Sequence, residues 1–526
     1  MGSRRATAVA TVLVVGFVAQ AHWSVRQKSP ILHEALYAWA GYEYLTRGAY
    51  ELNFDSPPLL KQLAALPLLG LDLDPPPPPG QWVNPSVDRF VYENRIPGDA
   101  LIDRARLPFL LLPVLLGAVV FAWASELHGP GGGLLALALT AFSPALLGQA
   151  GFANHDFGLA AFSVTALFAL WRLCRAPSNG KAVLTGVVLG LALVSKYTAA
   201  MLVPTAIFLG LTDVLARRPP GTPLGAALAR RTGHLAVVLV VAALVVWADY
   251  GFRVAPLGIV TYRLVLDQIA PDALLTWIVD RLPDHPSVPA AEFVMGVAFQ
   301  TLHGGAGHVN YLWGELSNTG WWYYYLVTFL WRVPLALFAL GLLWVGRLVV
   351  ARDVDVWGTA WVLAYALFTF LLFSSSATQL GERYVLVVYP LAFVALGGLA
   401  RARGAAAAAV GVCLAAYVGT SLATYPDYLV YFNRLAGGPE AGWRKVVEGV
   451  DLGQDARGLR RFVEERRIPA IRVSCFGCPP LTSLGPAFQP LGCTPTTGWV
   501  AVSVRQLVMP EPFFPHGCFD WLAERP

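Results

Sequence analysis

Apolar residues fall along this chain in long blocks, without the alternation of a half-buried strand or the one-sided stripe of a soluble helix. The blocks cover about 6–23, 107–124, 133–150, 157–173, 182–195, 197–211, 234–249, 323–346, 357–373, 384–400 and 405–422. A helix needs about 20 apolar residues to cross a ~30 Å hydrocarbon core, so these blocks predict membrane spans. The stretch 182–211 admits two readings. As one helix it would run ~45 Å, too long for the core, whereas two short helices could turn at Ser195-Lys196. Charge decides between them. With two helices, Arg4/Arg5, Arg172/Arg175/Lys181, Arg217/Arg218/Arg230/Arg231, Arg347/Arg352 and Arg401/Arg403 all fall on one side. Positive residues mark the cytoplasmic side, so eleven spans are expected, with the N-terminus inside and the C-terminus outside. Ala19-Gln20-Ala21 resembles a signal-peptidase site, but the many spans downstream make a cleavable signal unnecessary, and 6–23 reads as a retained first span.

The expected architecture is therefore an all-α polytopic membrane module, 1–422, and a C-terminal domain, 423–526. The module carries two large extracytoplasmic loops, 24–105 and 250–322. The first should hold interfacial helices near 34–47 and 58–69 and a polyproline spacer at Pro75–Pro79. In the tail, 455–467 has a helical pattern and Ala470–Ser474 and Trp499–Val504 look strand-like, which predicts a small extracytoplasmic α/β domain.

Composition strengthens the membrane reading. Residues are 56% hydrophobic and only 13% charged, against roughly a quarter charged in soluble proteins. The net charge of +5 then follows from span orientation and gives no reason to expect a nucleic-acid partner. Cys475, Cys478, Cys493 and Cys518 cluster in the tail, where disulfides are favoured over zinc because the tail lies outside and the spacing is irregular. Cys174 and Cys413 read as packing residues.

Candidate chemistry gathers at the outer ends of the spans: Glu34, Asp55, Asp156 in Asn154-His155-Asp156, Lys196, and Arg383 in Glu382-Arg383-Tyr384. Taken singly, each is an ordinary loop charge. Together, carboxylates and cations beside a membrane-level cavity suit an anionic lipid-linked substrate. Trp321, Trp322 and Tyr323–Tyr325 read first as an interfacial aromatic belt, and Arg332 as a residue that snorkels or pairs across the bundle.

The run His33-Glu34-Ala35-Leu36-Tyr37, then Ala40–Leu45, then Asp55-Ser56-Pro57-Pro58-Leu59-Leu60-Lys61 resembles the first outer loop of bacterial family 39 glycosyltransferases, relatives of protein O-mannosyltransferases and the lipid A aminoarabinose transferase. Asp156, Gly307-His308, Gly314-Glu315, Gly320–Tyr324, Arg383-Tyr384, Tyr389-Pro390, Tyr431-Phe432-Asn433, Gly437-Gly438-Pro439 and Asp451–Asp455 continue the match in order to about residue 460. The resemblance implies a C-type glycosyltransferase fold in a bacterial plasma membrane. It also implies a polyprenyl-phosphate-linked sugar donor, inversion at the anomeric carbon, and a lipid, glycan or protein acceptor. A carboxylate would take the acceptor's proton and cations would receive the phosphate. Glu34 and Asp156 are the expected catalytic carboxylates, with His33 as the alternative base, because His33 stands where the family has its first acidic residue. Lys196, Arg383, Tyr384 and Lys61 are expected to bind substrate together with Asp55. Asp55 and His308 fall where some relatives hold a metal, so a divalent ion is the one cofactor to consider. Two other readings stay open: a transporter or flippase of lipid-linked substrates, and a silent relative that scaffolds envelope enzymes.

Overall fold

The computed structural model describes residues 3–53, 55–78, 84–257, 287–350, 355–509 and 514–522. Pro79 and the middle of loop 250–322 lie outside them; Pro75–Pro78 form neither helix nor strand. Seven described helices are long and apolar enough to cross a membrane, or nine if each of two bent pairs is one span. The shorter apolar helices Asn179–Leu193 and Val388–Arg401 fill the remaining places, so the described helices follow the eleven expected blocks in order. The protein is a multi-span, predominantly helical membrane protein.

Local chemistry explains where the helices break. Ser143 caps the second half of the third span, accepting a hydrogen bond from the Leu146 amide at 3.4 Å. Pro144 follows at the first helical position, where its missing N–H is harmless, and the two halves meet at 63°. The fourth span, His155–Arg175, starts on an Asn154 cap whose Oδ1 accepts from the Asp156 amide at 3.1 Å. That cap puts Asp156 in the first turn. Between the fifth and sixth spans the chain turns at Val194–Lys196, as the charge pattern required.

The block 323–346 departs from expectation. Tyr324–Arg332 and Leu335–Val350 meet at 110°, so the block is two helices and not one continuous helix. Val333 is extended (φ −92°, ψ 134°) because Pro334 follows it and disfavours helical backbone there. Arg332, at the bend, pairs with buried Glu382 at 2.7 Å and donates to the Leu429 carbonyl at 2.8 Å.

Small residues let the spans approach. A Cβ at Gly190 would lie 2.5 Å from the Val245 Cβ, and one at Gly186 would lie 2.7 Å from the Val238 carbonyl. The fifth span therefore packs backbone-close on the seventh, as lipid-embedded helices without a hydrophobic drive must.

Beyond the eleventh span, the chain returns to the outer loops before it forms the α/β unit. Leu429 and Leu452 join Val25, Ile31 and Phe152 in one cluster, and Phe432, Val446 and Val450 pack on Tyr324, Tyr325 and Trp331. Helix Ala456–Glu465 then covers a parallel sheet in which Ile471–Ser474 lies between Phe488–Pro490 and Trp499–Val502. Disulfides join Cys475 to Cys478 and Cys493 to Cys518.

Gly190→Leu should overpack the fifth–seventh span contact and cost about 1–3 kcal/mol. A lowered apparent melting temperature of the purified protein would report it, and unchanged melting would show that the close approach is not needed.

Candidate active site

The helix Leu32–Arg47 lies just after the first span and carries His33, Glu34 and Tyr37. Glu34 is fully buried. Its Oε1 accepts from Arg106 Nε at 2.8 Å and its Oε2 from Arg106 Nη2 at 2.6 Å, a bidentate fork. The remaining acceptor positions take the Ile31 amide at 3.1 Å and the Ala153 amide at 2.8 Å. No face of this carboxylate is open to a substrate. Arg106 also donates to the Val25, Lys28 and Ser29 carbonyls at 2.9, 3.1 and 2.8 Å.

Asp55 is organised differently. Lys61, completely buried, donates to the Asn53 carbonyl at 2.6 Å, the Ser56 carbonyl at 2.7 Å and Asp55 Oδ1 at 3.1 Å. Its three protons are thus committed to the loop, so Lys61 neither snorkels nor presents a free charge. The Ser56 hydroxyl donates to the same Asp55 oxygen at 2.9 Å. Oδ2 has no hydrogen-bond partner among the described residues, and the side chain is 44% exposed. Burial pushes the Asp55 carboxyl up, but Lys61 and the Ser56 hydroxyl more than offset it and hold it below the usual carboxylate range. Asp55 is therefore an ionised carboxylate with one oxygen anchored and one open.

Asp156 anchors the other half. Lys196 Nζ donates to its Oδ1 at 2.6 Å, and Arg383 Nη1 lies 4.0 Å from its Oδ2. Lys196 also sits 4.2 Å over the Tyr384 ring, a cation–π contact. Arg383 donates Nε to the Leu380 carbonyl at 3.1 Å, while its terminal nitrogens have no hydrogen-bond acceptor among the described residues. Asp156, Arg383 and Tyr384 line a crevice with Thr198, Met201 and Phe373. Those last three and Tyr384 also line a cavity of about 310 Å³ that continues past Val297 and Leu372.

The two halves are joined by residues that the sequence did not single out. Ser56 Oγ lies 3.3 Å from the Tyr37 hydroxyl, which hydrogen-bonds His155 Nδ1. His155 Nε2 lies 3.5 Å from Asp156 Oδ1. A polar chain thus runs from Asp55 through Ser56, Tyr37 and His155 to Asp156. Two signals for it were present: Tyr37 stands one helical turn after His33, and His155 precedes Asp156 in the first turn of its span. Arg106 had none beyond being a basic residue at the head of an apolar block.

His33 lies at the edge of this chain, its ring 6.2 Å from Tyr37 and 6.3 Å from His155. Burial, and then the Arg383 guanidinium, hold its imidazole down at about 4. His308 is placed elsewhere. Its Nδ1 lies 2.8 Å from the Val309 carbonyl, and the ring faces Glu448, whose carboxyl burial raises against the pull of Arg505, His308 and Arg383. Asp55 instead has Ser56, Lys61 and His155 around it. Among the described residues no three His, Cys, Asp or Glu side chains are grouped to hold a metal. No third such ligand joins Asp55 and His308 among the described residues, and the Lys61 ammonium stands against one Asp55 oxygen.

Arg106→Met would leave Glu34 as an uncompensated buried charge and should cost about 3–5 kcal/mol; thermal unfolding unchanged from wild type would remove Glu34 from its structural role. A second expectation concerns pH. Histidine ordinarily titrates at 6.5 and His33 at about 4. Between those values only the unfolded chain takes up this proton, so folding weakens as the pH falls through the window. His33→Asn should lose less melting temperature than wild type between about pH 7 and about pH 5, and equal losses would contradict the depressed value.

Residues 94–248 match the family model described as dolichyl-phosphate-mannose-protein mannosyltransferase. A comparison with curated protein sequences finds no match. Among solved structures, the chain is similar to ArnT from Cupriavidus metallidurans bound to undecaprenyl phosphate, with 17% identity and a TM-score of 0.49 over 89% of this chain and 73% of that one. For ArnT in the apo state the identity is 16% and the TM-score 0.47, over 91% and 85%. For the archaeal oligosaccharyltransferase AglB from Archaeoglobus fulgidus, in complex with an inhibitory peptide and a dolichol-phosphate, they are 11% and 0.44. That match covers 79% of this chain and 56% of the other's length. From the second span through the seventh, over residues 94–248, the chain carries the sequence pattern of the dolichyl-phosphate-mannose-protein mannosyltransferase family, in line with the resemblance of its loops to membrane glycosyltransferases.

Proposed function

We propose that this protein is an inverting glycosyltransferase of the C-type fold that moves a sugar from a polyprenyl-phosphate donor to a hydroxyl of a lipid, glycan or protein acceptor on the extracytoplasmic face. One observation carries the reading: Arg383, whose terminal nitrogens have no hydrogen-bond acceptor among the described residues, lines a crevice that shares Thr198, Met201, Phe373 and Tyr384 with the larger cavity, and it lies 4.0 Å from Asp156, where the polar chain from the open Asp55 carboxylate ends. A guanidinium with spare donors in a crevice that adjoins a largely apolar cavity suits a lipid tail ending in a phosphate. Charge supports it as well. Lys61, Lys196 and Arg383 face Asp55 and Asp156, and the surplus positive charge is what a phosphodiester, with its single negative charge, would neutralise.

In the proposed step the acceptor O–H gives its proton to Asp55 Oδ2 as its oxygen bonds to the anomeric carbon. The bond from that carbon to the phosphate oxygen breaks, and its electron pair stays on the phosphate. Arg383 and Lys196 stabilise the charge that develops there. Asp156 is a positioning residue, holding Lys196 and Arg383 beside the crevice. Glu34, saturated by Arg106 and two amides, takes no part in proton transfer. This moves the base from the position read in the sequence to Asp55, and it makes the histidine at position 33 compatible with activity. The charges of this site lie together at one end of the spans, whereas a transporter would place its site charges near mid-membrane.

The test is transfer by the purified full-length protein from a panel of radiolabelled undecaprenyl-phosphate sugars into isolated envelope membranes. Asp55→Asn should lower kcat by roughly 10²–10⁴-fold with donor KM little changed, whereas Arg383→Ala should raise donor KM. His33→Asn should stay within a few-fold of wild type. Full activity in Asp55→Asn would overturn the assignment of the base, and a collapse confined to His33→Asn would move it to the histidine. No transfer from any donor would favour a silent scaffold.

A further inference from the structure

Three spans that carry the active-site residues at one end meet again at the other. The fourth runs from His155 to Arg175, the sixth from Tyr197 to Arg217, and the ninth from Val356, next to Asp355, to Ser374 beside the active-site cavity. A 21-residue helix is ~30 Å long, so their far ends lie a membrane thickness from the active site. There the structure holds a cavity of about 350 Å³ walled by Arg175, Arg217, Arg218, Arg230, Arg231 and His234.

Two carboxylates serve this group. Asp213 takes Arg231 at 3.3 Å. Asp355 takes Arg175 at 3.0 Å and Arg217 at 3.4 Å, and also accepts the Gly358 amide at 2.8 Å. Arg231 is almost wholly buried and is held further by the Cys174 carbonyl at 3.1 Å. Arg218 and Arg230 are exposed and have no anionic partner among the described residues. Basic loop residues normally splay into water. Here they converge on one concavity, an arrangement that like charges resist unless an anion sits between them.

We propose that this cavity binds a phosphate-bearing anion at headgroup depth, with Arg218 and Arg230 as its free ligands. Guanidinium forks match phosphate oxygens two at a time. The surroundings point to a phospholipid headgroup as the source. Leu215 and Leu224, on the two helices that flank the basic turn, are 64% and 40% exposed, so apolar surface for acyl chains adjoins the charged pocket. This site is separate from the sugar-transfer site and does not depend on what that site transfers.

The experiment uses full-length protein, native mass spectrometry and three probes: tetraoleoyl cardiolipin, dioleoyl phosphatidylcholine and inorganic pyrophosphate. Wild type should retain cardiolipin over phosphatidylcholine, and Arg218→Gln/Arg230→Gln should weaken that retention at least about 10-fold, the loss of one or two charge-assisted contacts. Both side chains are exposed and have no anionic partner among the described residues, so the double variant should fold, which its circular dichroism and melting would check. Arg218→Lys/Arg230→Lys, which keeps charge but loses the fork, should recover only part of the binding. Pyrophosphate binding with no retained lipid would assign the pocket to a soluble phosphate and overturn the lipid source. Equal cardiolipin binding by wild type and the double Gln variant, or no preference over phosphatidylcholine, would remove the site altogether.

Discussion

One buried ion pair governs the outer end of this molecule. Arg106, at the head of the second span, and Glu34, in the first outer helix, are both removed from water, which costs several kcal/mol per ion unless geometry and additional hydrogen bonds compensate. Here they do. The guanidinium is spent on Glu34 and on three carbonyls at the end of the first span, and the carboxylate on Arg106 and two amides. The chain leaving the first span is thereby turned and laid down as the helix that carries His33 and Tyr37. Because one of those amides is Ala153, the same pair fixes the loop that presents Asn154, His155 and Asp156.

Saturation elsewhere is what makes the unsaturated groups informative. Lys61 and Asn310 (the latter in strand Asn310–Leu312) have their polar atoms filled by backbone groups, Lys61 also by Asp55, and Glu34 is filled by Arg106 and two amides. Among the described residues Asp55 Oδ2 and the terminal nitrogens of Arg383 are not filled; Asp55 begins the polar chain that ends at Asp156, and Arg383 stands 4.0 Å from Asp156. At the opposite end of the same spans, Arg218 and Arg230 repeat the pattern as cations left over after Asp213 and Asp355 are taken. In a chain with so few charged residues, each unfilled charge invites a ligand more strongly than it would on a soluble surface.

Part of this was legible along the chain. Block lengths and the side on which arginines fall gave eleven spans, including the turn at Ser195-Lys196 that length alone left undecided. Helix 455–467 and the strands near 470 and 499 followed from period and turn residues. The break at Pro334 was legible too, since proline and the residue before it oppose helix, but the strong apolar run around it outweighed that signal. Among the site residues, Asp55, Asp156, Lys196 and Arg383 were named from charge and placement and Tyr384 from the family resemblance, and hydrogen bonds, ion pairs and ring contacts link them in the fold.

What the sequence could not do was rank them. Glu34 and Asp55 are both carboxylates in one outer loop, and nothing local separates a carboxylate saturated by a distant arginine from one with an open oxygen. That difference comes from Arg106, 72 positions away, and from Lys61 folding back under Asp55. Likewise Tyr37 joins His155 only because their helices pack. Hydrophobic block length and charge sign are properties of contiguous residues, so the sequence by itself determined the spans and their order. Which charge is neutralised and which is left free depends on partners that are remote in sequence, and only the tertiary structure decided it.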